Sequence, residues 1–430
     1  MYWQKEFETL PVESMKQLQL ERLRSELKRS YESVAHYKKC FDENGIGPAD
    51  LRSLEDLSKF PFTVKDDLRN NYPYGMFALP LKDVVRIHSS SGTTGKPTVV
   101  GYSHGDLDMW SDMIARIMCM GGVSGEDIVQ VAFTYGLFTG GFGHHYGAEK
   151  IGASVIPASS GNTARQLLIM KDYRTTILIC TPSYALHIAE MMEREGITKG
   201  DICLKYGLFG SEPWGEKQRK EIEDKLGVVA TDNYGLSELM GPGVSGECLC
   251  KSGMHLNEDH FYPEIIDPNT LEVLPEGVRG ELVLTSLTRE AMPMIRYRTR
   301  DITRLYRENC GCGRTLIKMD KPVGRSDDMF IVNGINVFPS QIEEILKFFE
   351  DTTPHYMVYL RKKGALDEAE IALEVSDRLF FDEMKKQKAL LDSIMAKFAS
   401  VLQFRPKVKL VEPRTLQRFE GKAKRVIDER

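Results

Sequence analysis

The chain has 430 residues, 42% of them hydrophobic and 28% charged, the composition of an ordinary soluble globular protein with length for two or three domains. That length excludes a miniprotein stapled by disulfides or metal. Fifty-seven basic against 62 acidic residues leave a formal charge of −5, with no basic run for nucleic acid and no apolar stretch of about 18 residues to cross a membrane.

The N-terminus, Met1-Tyr2-Trp3-Gln4-Lys5-Glu6, lacks a basic region followed by an apolar one, so a cytoplasmic protein is expected. The first ninety residues read as amphipathic helices, with Met15, Leu18, Leu20, Leu23 and Leu27 at roughly helical spacing among charges. From residue 84 to about 300, short β-rich runs such as Ile128–Val131 and Ile177–Cys180 alternate with helical segments such as Glu216–Leu226. That alternation predicts α/β units with a largely parallel sheet. Around Gly280–Leu284 the texture becomes β-rich without long helices, which predicts a smaller sheet or barrel finishing the first domain.

A polar, glycine-led segment at Gly324-Arg325-Ser326-Asp327-Asp328 marks a boundary, giving a large domain over 1–326 and a small α+β domain over 327–430. In the small domain, Pro339 followed by Ser340-Gln341-Ile342-Glu343 has the spacing of a capping box that opens a helix through Phe349. Strands fit Tyr356–Arg361 and Glu370–Val375, and a second helix fits Phe381–Leu402.

Of eight cysteines, Cys40, Cys119, Cys180 and Cys203 are scattered, while Cys248/Cys250 and Cys310/Cys312 form tight pairs. In a chain with no export signal such pairs point to a metal rather than to disulfides. Cys248, His255, Cys310 and Cys312 supply a closed tetrahedral zinc site, with Cys250 or His260 as substitutes. Four protein ligands leave no open position for water, so the expected zinc is structural.

The densest motif is Ser89-Ser90-Ser91-Gly92-Thr93-Thr94-Gly95-Lys96-Pro97, where hydroxyls and close backbone N–H groups suit phosphate oxygens and Lys96 adds charge. By composition alone it reads equally as a flexible surface loop. It is not a Walker loop, because two residues separate Gly92 from Gly95 and Pro97 replaces the hydroxyl that follows the lysine. Gly140-Gly141-Phe142-Gly143 likewise lacks the third glycine of a dinucleotide fingerprint.

Ser90–Pro97 resembles the phosphate loop of the adenylate-forming superfamily, which includes acyl-CoA synthetases, adenylation domains and luciferase. Asn233-Tyr234-Gly235-Leu236-Ser237-Glu238, Tyr297-Arg298-Thr299-Arg300-Asp301, Gly324–Asp328 and Gly421-Lys422 follow in that superfamily's order. A closer resemblance, over essentially the whole chain, is to the phenylacetate–CoA ligase subfamily. It is carried by Tyr135–Gly141, Tyr146–Glu149, Gly241–Val244, Asn333–Pro339 and Glu420–Val426. The fold implied is a large α/β N-terminal domain of the adenylate-forming, acyl-CoA synthetase-like kind with a small mobile α+β C-terminal domain.

The chemistry implied is attack of an aryl carboxylate on the α-phosphate of ATP, releasing pyrophosphate, followed by displacement of AMP by the CoA thiol. By the same resemblance, Ser90, Ser91, Gly92, Thr93, Thr94, Gly95 and Lys96 hold phosphates, and Glu238 holds magnesium. Tyr234 packs on adenine beside Gly210-Ser211-Glu212-Pro213, and Asn233, Gly235 and Ser237 share that nucleotide motif. Asp301 binds the ribose hydroxyls with Arg325 as its companion, and Asp327 is the hinge. Lys422, rather than Lys424, carries adenylation, a cationic arm between carboxylate and α-phosphate.

Tyr135, Phe138, Gly140 and Gly141 match the aromatic-and-glycine stretch of the acid pocket, where glycines leave room for a flat ring. His144-His145 has no neighbouring motif that would give either imidazole a catalytic task. The resemblance also implies a homodimer. It leaves open other acids (indoleacetate, hydroxyphenylacetate, benzoate) and AMP transfer to a deazaflavin, as in coenzyme F390 synthetases.

Overall fold

The amphipathic N-terminal spacing is realised as helices α1 (Lys5–Glu8), α2 (Val12–Ser33), α3 (Ala35–Glu43) and α4 (Lys65–Asn70). On α2, Met15, Leu23 and Leu27 are buried, and Leu18 and Leu20 half-buried. The computed structural model describes residues 1–89, 97–326, 330–332, 335–337, 339–349, 351–363, 366–376, 384–402, 405–413, 415–416 and 425–430. Among them no helix is long and apolar enough to cross a membrane.

The chain divides into two units, Met1–Lys321 and Pro322–Arg430. In the first, β1 (Arg86–Ser89) and β2 (Val99–Tyr102) pair antiparallel on either side of the Ser/Thr/Gly loop, and that loop's Ser90–Lys96 lie outside the described residues. Helices α5 (His104–Met120), α6 (Gly140–Ile151), α7 (Thr163–Asp172), α8 (Pro182–Arg194) and α9 (Glu216–Leu226) then interleave with four strands. These are β3 (Ile128–Val131), β4 (Ser154–Ile156), β5 (Ile177–Cys180) and β6 (Tyr206–Gly210). Strand β7 (Val229–Leu236) follows, and all five strands run parallel in the order β4-β3-β5-β6-β7.

Strand periodicity sorts the buried side chains between two faces. Ile177 and Ile179 enter the core that includes Trp110 and Ile114 of α5, while Leu178 and Cys180 enter the core under α7, α8 and α9 with Leu167, Ile188 and Ile222. Burial on both faces is why β5 reads as an uninterrupted apolar run.

Six further strands continue the same sheet: β8 (Gly241–Glu247), β9 (Met254–Leu256), β10 (Phe261–Ile266), β11 (Arg279–Ser286), β12 (Tyr297–Tyr306) and β13 (Lys318–Met319). Beyond β7 the order is β8-β9-β13-β12-β11-β10, all antiparallel. The β-rich region expected as a smaller sheet or barrel finishing the first domain instead extends the parallel sheet. The cause is the short connection after β7, which folds β8 back onto the open edge of β7.

Helix α5 opens with a capping box: Ser103 Oγ accepts from Asp106 N at 2.9 Å and the Asp106 carboxylate accepts from Ser103 N at 3.0 Å. It packs on α6 so closely that a Cβ on Gly143 would lie 2.6 Å from Trp110, and one on Gly147 only 2.2 Å from Ile114 Cγ2. We expect Gly147→Ala to cost about 1–3 kcal/mol by overpacking, read as a lower urea midpoint. A wild-type midpoint would show that the two helices separate without penalty.

The second unit carries an antiparallel and parallel four-stranded sheet in the order Lys407–Val411, Leu366–Val375, Thr352–Lys363, Val426–Asp428. Helices Pro339–Leu346 and Met384–Leu402 cover it, burying Val358, Leu373, Ile342 and Phe398. Asp327, the expected hinge, lies outside the described residues.

Candidate active site and metal cluster

A cleft of about 330 Å³ opens at the C-terminal ends of β5, β6 and β7, where parallel α/β sheets present ligand sites. Of the residues expected to bind ligands, Phe138, Gly140, Ser211, Asn233, Gly235 and Ser237 line it, with Phe133, Thr139, Thr181, Gly241 and Pro242. They are brought together because successive parallel strands end at one edge: Thr181 follows β5, Ser211 follows β6, and Asn233 to Leu236 form the end of β7, with Ser237 following it.

The backbone here is crowded, and that decides where glycine stands. A Cβ on Gly210 would meet Asn233 O at 2.4 Å, and one on Gly235 would meet Gly241 O at 2.1 Å. The register between β7 and β8 shifts between Tyr234 and Gly235, which turns the following residues toward the cleft. Ser211 holds φ at 70°, a left-handed strain of the kind found at ligand sites. Asn233 Nδ2 donates to Phe209 O at 2.7 Å and ties β7 to β6, and Glu212 accepts from Ser183 N at 2.5 Å. Pro213 is exposed beside them.

Tyr234 Oη donates to Asp301 Oδ2 at 2.5 Å, so the residues matched to adenine and ribose are neighbours although they come from β7 and β12. Ser237 Oγ lies 3.1 Å from Thr139 Oγ1. Glu238 is buried, and its carboxylate lies 3.2 Å from the Lys65 ammonium on α4. The Lys65 ammonium is thus the cation that this buried carboxylate pairs with in the structure. Lys65 was not singled out by sequence, since its Val-Lys-Asp-Asp setting reads only as a helix start.

Tyr135 and Gly141 do not line the cleft. Tyr135 packs edge-on against Phe142 at 5.2 Å, and its hydroxyl lies 3.2 Å from His145 Nδ1; burial pushes its phenol up. A Cβ on Gly141 would sit 3.0 Å from Thr134 O, so its absence lets the loop fold onto α6. The two histidines face different partners. Buried His144 donates from Nδ1 to Gly140 O at 2.9 Å and stacks on Phe133, and burial pushes it down to about 4. His145 Nε2 instead meets Glu149 at 3.1 Å. Arg325 lies in the short strand Gly324–Arg325 of the second unit, and Lys422 lies outside the described residues.

Elsewhere in the first unit, ligand atoms of Cys248, His255, Cys310 and Cys312 lie within 4.8 Å of one another. Cys248 Sγ is 3.5 Å from Cys310 Sγ, and Cys312 Sγ is 3.4 Å from His255 Nε2. Zinc bonds of about 2.0–2.3 Å in a tetrahedron place ligand atoms roughly 3.5 Å apart, so the set fits zinc. The contact between the Cys248 and Cys312 thiols holds Cys312 well below and Cys248 well above the usual thiol range, as for two groups sharing one proton. Of the substitutes, Cys250 is exposed with its thiol beside those of Cys248 and Cys310, and His260 is engaged by Thr288 at 2.8 Å and Asp259 at 3.2 Å.

Residues 41–288 match the AMP-binding enzyme family and residues 334–430 match the AMP-binding enzyme C-terminal domain. The chain is 49% identical over 424 residues to a phenylacetate-coenzyme A ligase of Pseudomonas putida, covering 98% of this chain and 96% of that one. It is 48% identical over 421 residues to one of Aromatoleum evansii, covering 97% and 95%. The chain belongs to the phenylacetate–coenzyme A ligase family of AMP-binding enzymes. A solved 2-hydroxyisobutyryl-CoA ligase, in the postadenylation state with 2-HIB-AMP, superimposes with a TM-score of 0.91 at 29% identity over 100% of this chain and 92% of that one. The fold expected from the motif series, an adenylate-forming domain followed by its C-terminal domain, is the fold of this family.

Proposed function

We propose that this protein joins phenylacetate to coenzyme A through an acyl-adenylate, consuming ATP and releasing AMP and pyrophosphate. The observation that carries this reading is the 2.5 Å bond from Tyr234 on β7 to Asp301 on β12, beside a cleft lined by Asn233 and Ser237, in a chain related end to end to phenylacetate ligases. Tyr234 and Gly210–Pro213 bracket adenine, and Asp301 with Arg325 binds the ribose diol. Ser90–Lys96 cradle the phosphates, and Lys422 bridges carboxylate and α-phosphate.

Glu238 is the residue for magnesium, which when bound offsets charge on the triphosphate. The Lys65 ammonium pairs with the Glu238 carboxylate from 3.2 Å away. The flat ring of the acid enters beside Phe138 and Gly140, where the missing side chain leaves a slot. The Cys248/His255/Cys310/Cys312 cluster holds a structural zinc, and reduced thiols of this kind suit the cytoplasm.

A pyrophosphate-release panel over aromatic acids, with and without CoA, tests the reading. Phenylacetate is expected to give the fastest acid-dependent release, with thioester formed on adding CoA. Glu238→Gln is expected to lower that release by roughly 10²-fold. Release that needs a deazaflavin and no acid would replace this reading with AMP transfer.

A further inference from the structure

We propose that Arg289 and Tyr102 form a backbone clamp that positions Glu238 for its cation. Arg289 Nη1 donates to Glu238 O at 2.6 Å and also to Leu239 O, while Nη2 reaches Gly101 O at 3.3 Å. Tyr102 Oη donates to Met240 O at 2.8 Å, and the Arg289 guanidinium lies over the Tyr102 ring at 5.3 Å. Three consecutive carbonyls, beginning with that of Glu238, are thus held by two side chains of which Arg289 is 1% exposed and Tyr102 0%.

Packing alone does not account for a guanidinium here. Among the described residues Arg289 forms no ion pair with a carboxylate, and a buried cation without one is costly. Its charge is met by carbonyl dipoles instead, which fixes the orientation of those peptides and hence the direction in which the Glu238 side chain leaves the chain. The clamp is itself anchored: Arg289 O accepts from Arg29 at 2.6 Å, and the N–H groups of Glu290 and Ala291 donate to buried Asp106 at 2.7 and 2.9 Å. Arg289 is therefore a positioning residue acting through Glu238, a role that rests on the magnesium reading of Glu238.

The test is ATP binding by calorimetry without acid substrate, with and without magnesium, and AMP binding as the control. In Arg289→Met the magnesium-dependent tightening of ATP is expected to fall about 10-fold or more, the usual cost of losing a residue that orients a metal ligand. AMP affinity should stay within about twofold, because adenine and ribose contacts are untouched. Arg289→Lys should restore part of the tightening. Tyr102→Phe keeps the ring and loses only the bond to Met240 O, and about a threefold loss is expected.

Full magnesium tightening in Arg289→Met, or equal weakening of AMP and ATP, overturns the clamp. If Arg289→Met does not fold, Tyr102→Phe decides, and unchanged tightening there overturns it. Loss of tightening in Glu238→Gln with none in Arg289→Met removes the clamp alone. A wild-type protein whose ATP affinity ignores magnesium removes the Glu238 reading and the clamp together.

Discussion

Lys422→Ala is expected to lower acid-dependent pyrophosphate release by on the order of 10³-fold while leaving conversion of supplied phenylacetyl-AMP and CoA to thioester within a few-fold of wild type. Adenylation brings a carboxylate against an α-phosphate, two anions whose approach is opposed until a cation stands between them. Nothing in that step requires a covalent nucleophile, so a long ammonium arm supplies charge at the reacting atoms without exchanging a proton. The second half-reaction starts from a mixed anhydride whose carboxylate charge is already gone, and the same lysine has no comparable task. A neutral side chain at 422 therefore separates the two steps. Pre-steady-state pyrophosphate release and thioester formation, measured on one preparation, check the division. Equal loss of both would sink it, and Lys424→Ala, with its lysine one residue removed from the Gly421-Lys422 pair, is expected to retain most adenylation.

Local elements were legible where local chemistry decides them. The runs Ile128–Val131 and Ile177–Cys180 are strands and Glu216–Leu226 is a helix, because β-branched density and helical charge spacing act within one element. The continuation of the sheet through β8 to β13 was not, since an open edge on β7 is a property of the assembled sheet. Asn233, Gly235, Ser237 and Phe138, singled out by the family resemblance, line one cleft. Lys65 and Arg289 were not legible, because each acts on Glu238 from a distant segment and neither sits in a pattern that announces it.

Tyr135, matched to the acid pocket by its motif, packs edge-on against Phe142 with its hydroxyl 3.2 Å from His145 Nδ1. Motif position conveys neighbourhood but not which way a side chain faces. For the cysteines, rarity made the group visible, and register chose the histidine. Pairing of β9 with β8 and β13 sets His255 between Gly246 and Lys318, close to the loop that carries Cys310 and Cys312, while His260 is spent on Thr288 and Asp259.

One zinc per chain is expected in purified protein, and Cys312→Ser is expected to lose it and to lower the thermal midpoint by about 5–10 °C, from a loss of several kcal/mol. The ligands come from two segments far apart in the chain, 248–255 and 310–312, and the second also anchors the N-terminus. Tyr2 Oη donates to Cys312 O at 2.6 Å, Arg314 meets buried Glu8 at 2.6 Å, and Thr315 N donates to Glu8 O at 3.1 Å. Releasing the metal loosens that loop, so limited proteolysis of Cys312→Ser should begin within about the first 20 residues, where wild type resists. Cys250→Ser and His260→Ala should retain zinc. At low temperature Cys312→Ser should still release pyrophosphate, because a metal closed by four protein ligands offers no position to water or substrate. Metal-free wild-type protein with all three ligand thiols open to alkylation would remove the site, and zinc loss with adenylation abolished in a still-folded variant would make the metal part of the chemistry.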